Sequence, residues 1–280
     1  MKERQIIKGN PPKALKPKDR TDQMSFLEHL EELRWRLIKG ILGVIIGVIG
    51  AFIFSNFIID TLLLGPTRAS FFMYEIIRVD AIDLTLQSRK LPGQFFTYWG
   101  MLFISGFIIG SPLIFYQIWA FIAPALEKQE RWKTILTAFF ITFFFGIGIA
   151  FGYLILVPFA LQFFANFNIS DSGLVRNDFD INAYFSSLAI WVVSCGVIFQ
   201  VPVLSYGLSK AGFLTPSFLR TYRKHAIILC LIMAAFLTPP DPISQILIAI
   251  PLTILYELAI GVSAIAVRQR NKELRKAFGE

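Results

Sequence analysis

Carboxylates and guanidinium groups crowd into two short stretches of this chain. Ser25-Phe26-Leu27-Glu28 has the form of a capping box, and Phe26, Leu27, Leu30, Leu33 and Leu37 recur near one face of the helix it would start. The polar side of that helix carries Glu28, Glu31 and Glu32. Glu28 and Glu32, four residues apart, repel by roughly a few tenths of a kcal/mol in an isolated helix. On an ordinary solvated face Glu32 pairs with Arg36 one turn on, which still leaves surplus acid. The second stretch, Ala123 to Arg131, holds Glu127 and Glu130 directly before a long apolar run. Glutamates in a first helical turn are stabilised by the helix dipole, so each cluster has a plain structural explanation. Two carboxylates on one surface have a further capacity: they can receive two guanidinium groups through planar, bidentate, charge-assisted bonds.

Two other polar residues lie inside apolar runs. Gln200, within Phe199-Gln200-Val201-Pro202, carries an amide that bonds across helices or takes up carbonyls freed by the proline. Glu257 is the acid set deep in the last apolar stretch, where it is expected to face the protein interior or a water-filled cavity. It is either a buried structural glutamate or a functional group, and with Gln200 it would serve a proton- or ion-coupled solute transporter. Enzymatic readings find little support. His29 and His225 lie in different segments, no phosphate-binding loop is present, and Cys195 and Cys230 sit singly in apolar runs. The expectation is a protein without catalytic residues, metal or cofactor.

The elements that would position these groups are membrane spans. The 280 residues are 55% hydrophobic and 16% charged, more apolar surface than a water-soluble core absorbs. Apolar runs occur at Ile38 to Ile59, Phe95 to Ile122, Ile135 to Phe159 and Ala183 to Leu208, each near the 20 or so residues that cross a bilayer. Two shorter runs follow, Ala226 to Leu237 and Ile243 to Tyr256, the latter continuing as Leu258 to Val267. Their shortness predicts a locally thin membrane. With six spans and the N-terminus inside, 22 of the 27 Lys and Arg fall on the cytoplasmic side, so the positive-inside rule places both ends there. The same distribution accounts for the net charge of +8 without nucleic acid.

The predicted organisation is a basic cytoplasmic tail over 1–24 that meets anionic lipid or nothing specific, a six-span membrane domain over 25–267 and a cytoplasmic tail over 268–280. No cleavable signal peptide is expected, so the first run is read as a retained span. Asp60 to Pro92 and Asn166 to Asn182 form outside loops long enough to build a cap. Pro112, Pro158, Pro202 and Pro251 each remove a helical hydrogen bond and predict a curved, concave bundle. Gly43 with Gly47, Gly106 with Gly110 and Gly148 with Gly152 have the small-xxx-small spacing that permits close helix packing. Such faces would equally hold partners if the chain were a scaffold.

Three motifs then fall together: Phe26-Leu27-Glu28-His29-Leu30-Glu31-Glu32-Leu33-Arg34; Phe121-Ile122-Ala123-Pro124-Ala125-Leu126 with Glu130-Arg131; and Leu237-Thr238-Pro239-Pro240-Asp241. With them the chain resembles the TatC family from about Phe26 to Val267. The resemblance implies an all-α, six-span protein shaped like a cupped hand in the bacterial cytoplasmic (inner) membrane. It implies the receptor of the twin-arginine translocase, which exports folded proteins with the proton-motive force and is not an enzyme. Its partners would be twin-arginine signal peptides, the small single-span Tat subunits, the bilayer and further copies of itself. By resemblance Glu32 and Glu130 receive the paired arginines, with Phe121 and Arg34 beside them, and Pro66 and Asp241 matter for conformation or assembly. The chain departs from the family at Gln200, where glutamate is common. An amide there anchors a single-span subunit by hydrogen bonding rather than by charge.

Overall fold

A computed structural model describes residues 26–126, 131–168, 177–238 and 242–278. Glu130 and Asp241 lie outside these residues. Helix α1, Phe26–Ile53, runs into a π-helical stretch at Phe57–Leu63 and a 3-10 turn at Gly65–Thr67. A short α2, Met73–Ile76, and a two-residue strand β1, Leu86–Gln87, lead to α3, Gly93–Leu126. Helix α4, Arg131–Phe151, continues through a π-helical Gly152–Leu156 into α5, Val157–Asn166, and β2, Phe179–Asp180, precedes α6, Ile181–Ile198. The chain closes with α7, Val201–Ala211, α8, Pro216–Thr221, α9, Arg223–Leu237, and α10, Pro242–Phe278.

Among the described residues five helical segments are long and apolar enough to cross a membrane: Leu30–Ile53, Gly93–Ala123, Thr134–Asn166, Ile181–Ala211 and Gln245–Arg275. The chain is thus a polytopic helical membrane protein. Helix α9, at 15 residues, is shorter than these and extends about 22 Å at 1.5 Å per residue. The shortness expected of the last two runs belongs to α9 alone, because α10 is a single helix of 37 residues with Pro251 inside it. Proline interrupts helices unevenly. The irregular turns precede Pro158 and Pro202, whereas α3 and α10 run through Pro112 and Pro251. The expected tail at 268–280 is, as far as Phe278, the end of α10. Two of its side chains bond back to α7: Tyr206 Oη donates to Gln269 Oε1 at 3.1 Å, and the almost fully buried Lys210 Nζ lies 3.4 Å from Glu273 Oε1. Further up the same seam Ser209 and Ser263 share a 2.6 Å hydrogen bond, and Ser205 Oγ donates to Ala259 O at 3.0 Å.

The glycine pairs meet as their spacing requires. A Cβ at Gly47 would stand 2.1 Å from Gly106 O, and one at Gly110 would stand 2.6 Å from Gly43 O. Helices α1 and α3 therefore touch backbone to backbone, which only glycine allows. The pair on α4 does the same against α6, where a Cβ at Gly148 would lie 2.6 Å from Cys195 O.

At the end of the bundle away from the start of α1, the two long loops join. β1 and β2 pair in parallel with Leu86 opposite Phe179 and Gln87 opposite Asp180. Three tyrosine hydroxyls converge on the turn that leaves the first span: Tyr74 donates to Pro66 O at 2.5 Å, Tyr184 to Leu63 O at 2.7 Å, and Tyr153 to Leu62 O. Irregular turns leave carbonyls without helical partners, and these hydroxyls satisfy them. Pro66 is fully buried there. Burial pushes the Tyr74 hydroxyl pKa up, keeping it a donor. Asp180 caps α6 by accepting from the Asn182 and Ala183 amides, and the amide bonds, that of Ala183 foremost, hold its pKa below the usual carboxylate value.

Gly47→Ala should lower thermal stability in detergent by about 2 kcal/mol or more, since backbone faces backbone at that site; Gly50→Ala, where an added Cβ meets nothing within 4 Å, should not. A depressed carboxylate stabilises the fold above its unfolded pKa and loses that contribution as pH falls through the folded one. Wild-type melting temperature should therefore drop on acidification below about pH 4, and Asp180→Asn, which retains a capping side chain, should flatten part of that drop.

Candidate functional site

The end of the bundle where α1 begins gathers most of the sequence-derived site residues. On α1, Leu33, Leu37, Gly40, Ile41 and Val44 recur at helical spacing along one face and, with Arg36, line a groove of about 290 Å³. Its other wall is the α3 row Ile114, Gln117, Ile118 and Phe121, again one helical face. Close α1–α3 packing deeper in the membrane brings these rows opposite each other. The groove is almost wholly apolar, and Phe121 is half-buried in its wall.

Glu32 is not part of the groove lining and is joined to it through Arg36, which lines it one helical turn on. Its Oε1 accepts from Arg36 Nε at 2.8 Å and from Arg36 Nη2 at 2.5 Å. The pair expected of an ordinary helix face thus forms, and its carboxylate lies beside the apolar groove. Arg34, two residues away on the helix, is exposed and does not line the groove. Glu31 is also exposed. Glu130, outside the described residues, immediately precedes Arg131, where α4 begins five residues beyond the end of α3 at Leu126.

Gln200 sits at the break between α6 and α7, just ahead of Pro202. Its Nε2 donates to Ile141 O of α4 at 3.2 Å and reaches Gly196 O at 3.5 Å. Its Oε1 is buried with no donor among the described residues. A buried unpaired acceptor costs about 1–3 kcal/mol, so this amide is half satisfied by the bundle itself.

Glu257 bonds a neighbouring helix and is not enclosed by the bundle. Its Oε2 accepts from Arg223 Nη2 at 2.7 Å, and both side chains are about half exposed, at 48% and 47%. The reason is the length of α9: it begins at Arg223, and its 15 residues bring that guanidinium level with the middle of α10. The apolar run begins only at Ala226, so hydropathy alone gives no sign that Arg223 heads the helix. Pro66 lies at the opposite end, where its carbonyl accepts from Tyr74. Asp241, outside the described residues, directly precedes α10. Arg36 itself, at the groove mouth, is the residue that sequence reasoning assigned no role beyond neutralising Glu32. The i, i+4 spacing from Glu32 was the available signal.

The family profile described as Sec-independent protein translocase protein (TatC) matches residues 28–251. The chain belongs to the TatC family. A TatC of Blattabacterium sp. subsp. Periplaneta americana is 38% identical over 260 residues, with 88% of this chain and 97% of the relative covered. The TatC of Aquifex aeolicus is 34% identical over 254 residues, with 91% of this chain and 100% of the relative covered. A crystal structure of the twin arginine translocase receptor TatC in DDM superposes with a TM-score of 0.67 at 34% identity, covering 84% of this chain and 99% of that one. As a TatC, the chain is a membrane component of Sec-independent protein translocation, a transport protein rather than a known catalyst.

Proposed function

We propose that this chain is the receptor subunit of a twin-arginine translocase in the bacterial cytoplasmic membrane. It has six spans, including the short α9, and both ends are cytoplasmic. The observation that carries the reading is Glu32 bonded to Arg36, a residue that lines an apolar groove which Phe121 helps to wall. A signal peptide with paired arginines followed by apolar residues matches that order of surfaces, charge first and grease behind it. One arginine bonds Glu32 and the other Glu130, each through a fork of N–H donors that lysine lacks. Arg34, exposed on the same turn, acts on conformation or assembly together with Pro66 and Asp241.

The small single-span subunits dock at the break between α6 and α7, beside Gln200, whose buried Oε1 has no donor among the described residues. In a bilayer an amide is satisfied across helices at modest gain per bond, which suits a subunit that binds and leaves. The proton-motive force drives cargo across.

Alanine at Glu32 or Glu130 should weaken binding of a twin-arginine peptide roughly tenfold to a hundredfold, measured by site-specific crosslinking in membranes where the variants still insert. Undiminished crosslinking in both variants sinks the receptor site. A photoreactive residue at position 200 should capture a single-span subunit; Gln200→Leu should reduce co-purification of that subunit and Gln200→Glu should preserve it. If position 200 never captures such a subunit, the docking assignment fails.

A further inference from the structure

The carboxylate assigned above to a signal arginine is already holding one. Arg36 brings both Nε and Nη2 to the same oxygen, Oε1 of Glu32, at 2.8 and 2.5 Å. Both side chains are about three-quarters buried, Arg36 at 25% and Glu32 at 24% exposure, which is more shielding than a free-standing surface pair has. Oε2 takes neither of Arg36's bonds. The Arg36 side chain is at the same time part of the groove wall that faces Phe121 across α1 and α3.

We infer that Arg36 is a built-in placeholder for the signal arginine, a residue of the receptor that keeps Glu32 neutralised until a signal displaces it. This rests on the receptor reading above and concerns how the same site is regulated. The exchange follows from the geometry. An entering guanidinium bonds the available Oε2 first, then takes Oε1 as Arg36 swings out, so the carboxylate is never left bare beside apolar surface, where an unpaired charge is costly. Arg36 leaves the groove wall in the same motion, which opens the mouth to the apolar residues that follow the arginines. Because every ligand must displace the same group, Arg36 raises the affinity threshold for all cationic segments equally. It leaves the preference for arginine over lysine to the fork geometry of Glu32.

The test uses the full chain in detergent micelles and a fluorescent synthetic peptide carrying paired arginines followed by an apolar stretch, with a paired-lysine version beside it. An i, i+4 pair is weak, so Arg36→Met, which retains an apolar stem for the groove, should tighten binding of both peptides by roughly two- to fivefold. Their ratio should stay unchanged. Arg36→Lys, which retains the charge and loses the fork, should fall between wild type and Arg36→Met; a merely repelling cation would leave it at the wild-type value. Independently of any variant's folding, the Arg36 Nε–H resonance of the wild-type protein should move to a solvated position on saturation with the paired-arginine peptide. Unchanged or weaker binding by Arg36→Met, or an Nε–H signal that does not respond, overturns the placeholder. Absence of binding by the wild type, or binding by Glu32→Ala equal to it, overturns the receptor reading instead.

Discussion

Helices α1 and α3 touch backbone to backbone where Gly47 meets Gly106 and Gly110 meets Gly43, with Leu113 packed on Gly43 and Val48 on Gly106. In a membrane there is no hydrophobic gain from bringing two apolar helices together, so close van der Waals contact of backbones has to hold them. That requirement excludes a Cβ at Gly47 and Gly110, where backbone of the other helix already stands within 2.1 and 2.6 Å. The rest follows from it. With the crossing set, the α1 row that ends at Leu33 and the α3 row that ends at Phe121 confront each other at the same end of the bundle and form a groove. The contact of α4 with α6 through Gly148 and Gly152 repeats the device and places Ile141 within reach of Gln200.

The two ends of the bundle solve opposite problems. Away from the groove, the first span ends in a π-helical and a 3-10 turn whose carbonyls the helix cannot satisfy, and Tyr74, Tyr153 and Tyr184 supply hydroxyls to them. Those donors come from three separate elements, so the turn, the α4–α5 segment and α6 are tied into one cap, with the β1–β2 pair across it. At the groove end the polar groups are charged and three-quarters buried rather than fully enclosed, as the Glu32–Arg36 pair shows.

The closing helices show how one length decides an environment. α9 is short because its apolar run is short, and Arg223 at its head is thereby carried to the height of Glu257 on α10. An acid that would be expensive alone in an apolar stretch becomes half of an ion pair. Below it, Ser205, Ser209 and Lys210 of α7 bond to Ala259, Ser263 and Glu273 of α10, so the two helices stay in contact past the apolar run.

Local pattern was enough to expose the long apolar runs and the glycine pairs, since each depends on residues within a turn or two of one another; Ser25 of the capping box and Glu127 and Glu130 of the second acidic cluster lie outside the described residues. The family, too, was legible, because its three motifs are contiguous. What lies at Glu257, how far α10 extends and which carbonyls the tyrosines serve were decided only by tertiary structure. Each of those depends on groups brought together from distant parts of the chain: Arg223 with Glu257, Glu273 with Lys210, Leu63 with Tyr184. Hydrophobic period and helix caps are properties of a segment, whereas the partner of a polar group in a membrane is a property of the whole packing, because lipid offers it none.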